Sequence, residues 1–433
     1  MTWVITSKDF GFRHWPELAR LRDDCGQSLV LFALVLSSLI LSLGLAVDIG
    51  FAYMTKAKLS KAVDGACLTA MRNLSQGEDT ARSLATNSFN ANYRSTSLDA
   101  VPPSVTVNFS TDANGQRFVT VNAAASIKTQ FMALLPAYLT MPVSDSAQAT
   151  RGKLVMSLIL DRSGSMQTNG GASALPPAVG TFVNYFDNTT DRVAMVSFAS
   201  NATVDVSMET NFITPITNAA NNLAGHFSGG TFGPGGLTLG KSQNESVPSD
   251  PGQNIVKVAV YFTDGYANVI QDTLSCAGVM TLYNYGGYDS GNTVGFFDPT
   301  SGNSLATYNS SNRTWSPSNF CLKNVPGFTS AIDGTTKAFT RTNVTADARY
   351  RALQTANAMR AEGVYVYSIG LGTSVDTDFL EQIANDPASS TYDSSQPVGM
   401  AVFASHCPSS QCSAELKQVF QTIAAQILLR LTQ

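Results

Sequence analysis

Two apolar runs, each of strand length and each delivering the chain onto an aspartate, restrict the fold most. Leu154 to Leu160 (LVMSLIL) is apolar apart from one serine and stops at Asp161. Val256 to Phe262 (VKVAVYF) repeats the pattern and stops at Thr263-Asp264-Gly265. A strand with apolar residues on both faces is buried on both faces, as central strands of a parallel sheet are. The C-terminal ends of such strands share one edge of the sheet, and ligands bind there.

The loop after the first run is Asp161-Arg162-Ser163-Gly164-Ser165. It sets one carboxylate and two hydroxyls at alternate positions, with a glycine that permits a tight turn. Alternate residues of an extended turn can face one point, and three hard oxygen donors suit Mg²⁺ or another hard divalent cation. Taken alone, the motif is short, and Asp and Ser also serve as helix N-caps. Between the two runs lies Ser228-Gly229-Gly230-Thr231, a glycine-rich turn with one hydroxyl, ahead of a helix expected at Gly236 to Lys241. Asp161, Ser163, Ser165, Thr231 and Asp264 can therefore converge on one edge.

In this order the five residues resemble the metal-ion-dependent adhesion site of von Willebrand factor A domains, over Leu154 to Gln433. The resemblance implies an α/β fold with a doubly wound, mainly parallel, Rossmann-like sheet. It implies a divalent cation held by Asp161, Ser163, Ser165, Thr231 and Asp264, Mg²⁺ first, with Mn²⁺ or Ca²⁺ as alternatives. The cation's open position would take a carboxylate from a protein partner, so binding is expected rather than catalysis.

The chain of 433 residues is long enough for two or three domains, and its 44% hydrophobic content allows a sizeable core. Charged residues make up 13%, well below the usual ~25%. The net charge of −4, with no basic stripe and no recognition motif, points away from nucleic acid.

Gly26 to Val47 carries no charge, and about 20 apolar residues span a bilayer as a helix. The run is longer than the apolar region of a signal peptide, and no small-x-small cleavage site follows it, so a retained anchor is expected. Ala52 to Asn73 has small and apolar residues at helical spacing and should continue the helix beyond the membrane. Gly26-Gln27-Ser28, the span, AVDIG and KLSKAVDGACLTAM together resemble the TadE/TadG-like proteins of Tad (Flp) pilus assembly. In the TadG type an anchor precedes a stalk and then a von Willebrand A domain. One departure is Leu31, which stands where prepilins carry a glutamate after the cleaved glycine, so prepilin processing is not expected.

The resemblance implies a cytoplasmic N-terminus at 1–25, a transmembrane helix at 26–50, a small α+β stalk at 51–150 and the A domain at 151–433. It places the protein in the bacterial inner membrane as a single-pass protein, with its bulk in the periplasm or at the cell surface. Partners are then expected among Tad pilus or secretion components.

Within the stalk, Val105 to Phe109 and Phe118 to Asn122 read as a hairpin around a turn at Ser110 to Gln116, with a helical piece at Thr129 to Leu135. In the A domain, helices are expected at Pro176–Asp187, Phe212–His226, Ala346–Gly363, Asp376–Asn385 and Ala414–Leu431. Strands are expected at Arg192–Phe198, Thr203–Met208 and Val364–Leu371. An insertion at 267–342 follows Asp264 directly and so emerges on the metal-bearing edge. Its Tyr283, Tyr285, Tyr288, Phe296, Phe297, Tyr308, Trp315 and Phe320 stand among Ser, Gly and Asn, a mix found in binding surfaces. A loop this long also needs internal packing, so the aromatics are expected to form a small core; the two readings are compatible.

Cys276 and Cys321 lie in the insertion, and Cys407 and Cys412 bracket a short loop. Two pairs suit an oxidising compartment, though four cysteines allow three pairings. Cys67 is expected as a buried thiol. Zinc is disfavoured, since no Cys-x-x-Cys occurs and the three histidines are scattered. The function expected is non-enzymatic adhesion or assembly. The alternatives are a structural anchor whose metal site only rigidifies loops, and a metal-dependent hydrolase. The hydrolase lacks Gly-x-Ser-x-Gly and has only His226 close to Thr231.

Overall fold

The computed structural model describes residues 20–112, 116–248, 254–287, 292–373 and 375–431, with side chains from Gln27 onward except Ser75. Most of the expected cytoplasmic segment and Tyr288 lie outside the described residues. The chain divides into two compact units, one of Met1–Cys67, Ala85–Val107 and Thr120–Ala147, the other of Leu68–Leu84, Asn108–Val119 and Gln148–Gln433.

Helix α1 (Arg20–Arg72) begins the described chain and is long and apolar enough to cross a membrane. Leu29, Leu34, Leu39 and Leu43 are more than half exposed along it. Three serine hydroxyls in its apolar part are satisfied within the helix: Ser37 donates to the Ala33 carbonyl (2.6 Å), Ser38 to Val35 (2.8 Å) and Ser42 to Leu39 (2.9 Å). Internal pairing of this kind is what a hydrocarbon environment demands of a polar group. The expected continuation holds, and Leu59, Ala62, Val63 and Ala66 are fully buried in the fold. Cys67 is buried, its thiol on the Ala147 carbonyl (3.6 Å).

After α2 (Glu78–Asn92) come β1 (Asp99–Thr111), β2 (Arg117–Lys128) and β3 (Thr140–Arg151), in one sheet of order β1-β2-β3. The two hairpin strands were expected; β3 was not, because its sequence TMPVSDSAQATR buries only Val143 and Arg151 and so shows no apolar alternation. The helical piece expected at Thr129–Leu135 is replaced by two short 3₁₀ turns, Met132–Leu134 and Pro136–Tyr138, with Pro136 opening the second.

The second unit contains β4 (Lys153–Asp161), α3 (Ser165–Thr168), α4 (Gly171–Val183), β5 (Arg192–Phe198), β6 (Ala202–Glu209), α5 (Ile213–Asn222), α6 (Gly233–Glu245) and β7 (Ile255–Thr263). The insertion supplies β8 (Val269–Cys276), β9 (Val279–Gly287), β10 (Thr293–Phe297), β11 (Ser304–Asn309) and β12 (Thr314–Ser316), then β13 (Phe328–Thr329) and β14 (Thr336–Lys337). The chain closes with α7 (Arg341–Ala361), β15 (Tyr365–Leu371), α8 (Thr377–Ala384), β16 (Ala401–Ala404) and α9 (Cys412–Leu431). The main sheet has six strands in the order β16-β15-β7-β4-β5-β6, parallel except for β6.

Side chains alternate across β4. Leu154, Met156, Leu158 and Leu160 join Phe182, Phe420 and Ile423 in one core, while Ile159 joins Tyr261, Val344, Ala348 and Phe379 in the other. Four sequence expectations for helix bounds shift by three residues or more: α6 (Gly233–Glu245) extends beyond the expected Gly236–Lys241 at both ends, and α7 (Arg341–Ala361) starts five residues before the expected Ala346. Helix α4 starts ahead of Pro176 because Gly171, Ala174 and Leu175 are buried, so packing overrides the proline start signal. Helix α5 stops at Asn222, short of His226, with Gly225 in a left-handed conformation (φ +88°) just beyond.

The insertion is not an irregular loop. Strands β8 to β12 form an antiparallel sheet of order β12-β11-β10-β9-β8. Its aromatics do form a core: the Tyr285 and Phe296 ring centroids lie 5.3 Å apart, Phe339 stands edge-on to Tyr285 at 5.3 Å, and Trp315 sits 5.1 Å from Phe296. Disulfides join Cys276 to Cys321 and Cys407 to Cys412.

Helix α6 lies close on the sheet because Gly233, Gly236 and Gly240 share its inner face, against Tyr261, Phe198 and Ile159. A Cβ at Gly236 would come within 2.5 Å of the Phe198 ring, which is stacked on Tyr261 at 5.5 Å and cannot give way. Gly236→Ala gains roughly 1 kcal/mol of helix propensity but overpacks the site at a cost of about 1–3 kcal/mol. Denaturant unfolding should show a net loss of stability; an increase would mean that the close approach is not enforced by packing.

Candidate metal centre

Strands β4 and β7 pair in parallel with Leu160 opposite Phe262. Their next residues, Asp161 and Thr263, therefore stand side by side at the C-terminal edge. The Thr263 hydroxyl donates to Asp161 Oδ2 (2.6 Å), and the Ser163 amide donates to Asp161 Oδ1 (2.7 Å). Ser163 Oγ and Ser165 Oγ share a hydrogen bond of 3.1 Å, and Ser165 Oγ donates to Asp264 Oδ1 at 2.7 Å. Asn169 Nδ2 donates to Asp264 Oδ2 (3.0 Å). Four of the five expected residues are thus linked through one chain of hydrogen bonds.

Thr231 reaches the same edge through its backbone. The Gly164 amide donates to the Gly229 carbonyl (3.1 Å), and the Ser228 amide to the Arg162 carbonyl (3.0 Å), so the second loop is tied to the first. The Thr231 amide donates to Asn268 Oδ1 (2.8 Å), and its carbonyl accepts from the Asn268 amide (3.0 Å), so the second loop is tied to the third. Gly229 is needed in this turn: its φ is +85°, and a Cβ there would run into the Ser200 hydroxyl.

Asp161, Ser163, Thr231 and Asp264 are between 0% and 4% exposed. Burial raises the Asp161 carboxyl, and the charge of Asp264 raises it further, to about 7, against the opposing hydrogen bonds from Ser163 and Thr263. Arg162, in the same loop, turns its guanidinium to Ser197 (3.2 Å) and Asn201 (2.7 Å). Two buried carboxylates joined to the buried Ser163 and half-buried Ser165 hydroxyls, without sulfur or imidazole, match a hard divalent cation. Such an ion would stabilise both carboxylates in their charged form.

Sequence reasoning missed Thr263, Asn169, Asn268 and Ser200. Thr263 could have been found, because it adjoins Asp264 and ends the strand in register with β4. The asparagines carry no such signal. The insertion is fastened beside the site by Asn284 Nδ2 on the Ser200 carbonyl (2.9 Å) and Asn201 Nδ2 on the Thr300 carbonyl (2.7 Å).

A von Willebrand factor type A domain model matches residues 156–286, which hold all five residues. The chain carries a von Willebrand factor type A domain. A Flp pilus-assembly TadE/G-like model matches residues 26–73, which cover the apolar part of α1 and its continuation. Similar solved structures include the PilB minor pilin from Streptococcus sanguinis, with 16% identity over 78% of this chain and 80% of that one and a TM-score of 0.39. The pilus adhesin SpaC from Lactobacillus rhamnosus GG shows 15% identity over 76% of this chain and 35% of that one, with a TM-score of 0.40. The vWF domain of the type V pili tip protein Mfa5 from Porphyromonas gingivalis shows 15% identity over 66% of this chain and 98% of that one, with a TM-score of 0.40. At these TM-scores the likenesses carry no argument about function. No curated protein matches the chain.

The raised Asp161 carboxyl sets a pH dependence for the A domain without cation. The folded state holds a proton that the unfolded chain, with its ordinary value of 3.8, releases earlier, so this group's contribution to stability falls as pH rises from about 4 to about 7. Asp161→Asn should become progressively more stable than the unsubstituted chain over that window in chelator, read by denaturant unfolding at several pH values. A difference that does not change with pH would show that Asp161 titrates normally.

Proposed function

We propose that this chain is a membrane-anchored, non-enzymatic adhesion or assembly protein of a Tad (Flp) pilus system, which binds a carboxylate-bearing protein partner through a divalent cation on its A domain. The observation that carries the reading is the continuous hydrogen-bonded chain from Asp161 through Ser163 and Ser165 to Asp264, at a buried edge where two carboxylates meet. Asp161, Ser163, Ser165, Thr231 and Asp264 would hold the cation, Mg²⁺ in preference to Mn²⁺ or Ca²⁺. The bound ion would supply an electrophilic position for the partner's carboxylate. Thr263 and Asn169 orient the two aspartates, and the insertion, fastened at Ser200 and Asn201, forms one wall of the partner surface.

The apolar helix and the TadE/G-like match support a single-pass anchor in the bacterial inner membrane. Two disulfides in the distal part support placing the bulk of the chain in the periplasm or at the cell surface. Partners would then be pilus or secretion components. The same hydrogen-bond chain also favours a second reading, in which the site only rigidifies three loops. His226, the feature closest to an enzyme reading, is exposed beyond α5.

Calorimetric titration of Mg²⁺ and Mn²⁺ into the full chain in detergent tests the proposal. Saturable binding is expected, lost in Asp161→Ala and Asp264→Ala with the circular dichroism unchanged. Thr263→Val should weaken it by roughly 10–100-fold, the usual cost of removing a group that orients a ligand. Acidic peptides should bind only with cation present; cation binding without any such gain would support the rigidifying reading, and no binding at all would overturn both.

A further inference from the structure

The stretch from Thr129 to Ser144 contains no charged residue. Within it Phe131 is 42% exposed, Leu134 74%, Leu135 56%, Tyr138 51% and Leu139 57%. Single exposed apolar residues are ordinary, but a contiguous set of this size marks a contact surface. The position of the loop says what covers it. The Asp48 carboxylate, 1% exposed, accepts the amides of Gln130 (2.8 Å), Phe131 (3.0 Å) and Met132 (2.7 Å). Asp48 is the first residue after the uncharged run Gly26–Val47. Phe131 packs on Gly44, where a Cβ would come within 2.6 Å of it. Gly44 lies one turn, or roughly 6 Å, back inside that run. The loop is therefore held at the level where the span ends.

We propose that Phe131–Leu139 is a second membrane-contacting element, an apolar loop seated in the interfacial layer of the lipid bilayer beside α1. The contact continues the span's own lipid-facing surface, its lack of charge removes the desolvation cost, and Tyr138 has the amphipathic ring favoured at that depth. Asp48 and Gly44 are positioning residues for it: the three amides satisfy a carboxylate at the edge of the hydrocarbon, and the glycine admits Phe131. Anchored by a helix and a loop together, α1 cannot rotate freely about its own axis. The inference rests on the reading of α1 as a membrane anchor.

The test uses the full chain in lipid nanodiscs, with Leu134→Trp in the loop and Leu39→Trp in the span, each compared with the unsubstituted chain to remove the natural tryptophan signal. The lipids are brominated either near the headgroup or near the chain end. Leu134→Trp should lose most of its added emission in the shallow-brominated lipid and little in the deep one, and Leu39→Trp the reverse. Quenching of Leu39→Trp with none of Leu134→Trp overturns the proposal and leaves the anchor standing. Quenching of neither overturns the anchor. Leu134→Trp emission insensitive to brominated lipid and also shielded from iodide would mean that protein, not lipid, covers the loop, and would equally overturn the proposal.

Discussion

The in-register pairing of β4 with β7 is the constraint on which the A domain turns. It sets Leu160 opposite Phe262 and so brings Asp161 and Thr263 to adjoining strand ends, with Asp264 one residue on. Both carboxylates are buried, at 0% and 1% exposure, where water cannot solvate their charge. Everything local answers that problem. The Ser163 amide and the Thr263 hydroxyl serve Asp161, and the Ser165 hydroxyl and the Asn169 amide serve Asp264. These donors offset only part of the burial penalty, since the Asp161 carboxyl still stands well above its ordinary value. A cation would supply the remaining compensation, so the electrostatics and the family pattern point the same way.

Bringing the second loop to that edge requires the glycine face of α6. Each glycine weakens the helix by roughly 1 kcal/mol relative to alanine. The face nevertheless lets the helix rest on Ile159, Phe198 and Tyr261 and start where Thr231 ends. Asn268 then links the second loop to the third, and Asn284 and Asn201 join the insertion to the same edge. Asn284 neighbours Tyr285 on β9, so the strand that ties the insertion to Ser200 also carries its aromatic core.

Much of this was legible in the sequence, and the limits have physical causes. The central strands announce themselves because burial on both faces leaves near-continuous apolar runs, and β5 was read to its residue bounds. The five candidate ligands were read by type and order from the two strand ends and the glycine-rich turn between them, although nothing in a Ser-Gly-Gly-Thr turn says where its hydroxyl lands. The insertion's strands were hidden because β9 to β11 carry Gly, Asn or Ser among their aromatics, β8 has no regular apolar alternation and β12 is three residues long, and β3 was hidden because it buries little. Asn169, Asn268 and Ser200 act through hydrogen bonds between distant loops, which leave no periodic trace.

An aspartate closing an apolar run occurs three times, at Asp48, Asp161 and Asp264, and the structure separates the cases by what surrounds them. Asp48 gathers three backbone amides from residues 82–84 positions away in the chain. Amides are pure donors, fixed in place, and three of them satisfy one carboxylate. Asp161 and Asp264 face each other's charge, and three of their partners are the hydroxyls of Thr263, Ser163 and Ser165, which donate or accept with a small rotation. A site lined by rotatable hydroxyls can turn its lone pairs toward an arriving ion, whereas one lined by amides cannot. The same sequence signature therefore yields a structural clamp at the membrane end of the chain and a site suited to a cation at the sheet edge.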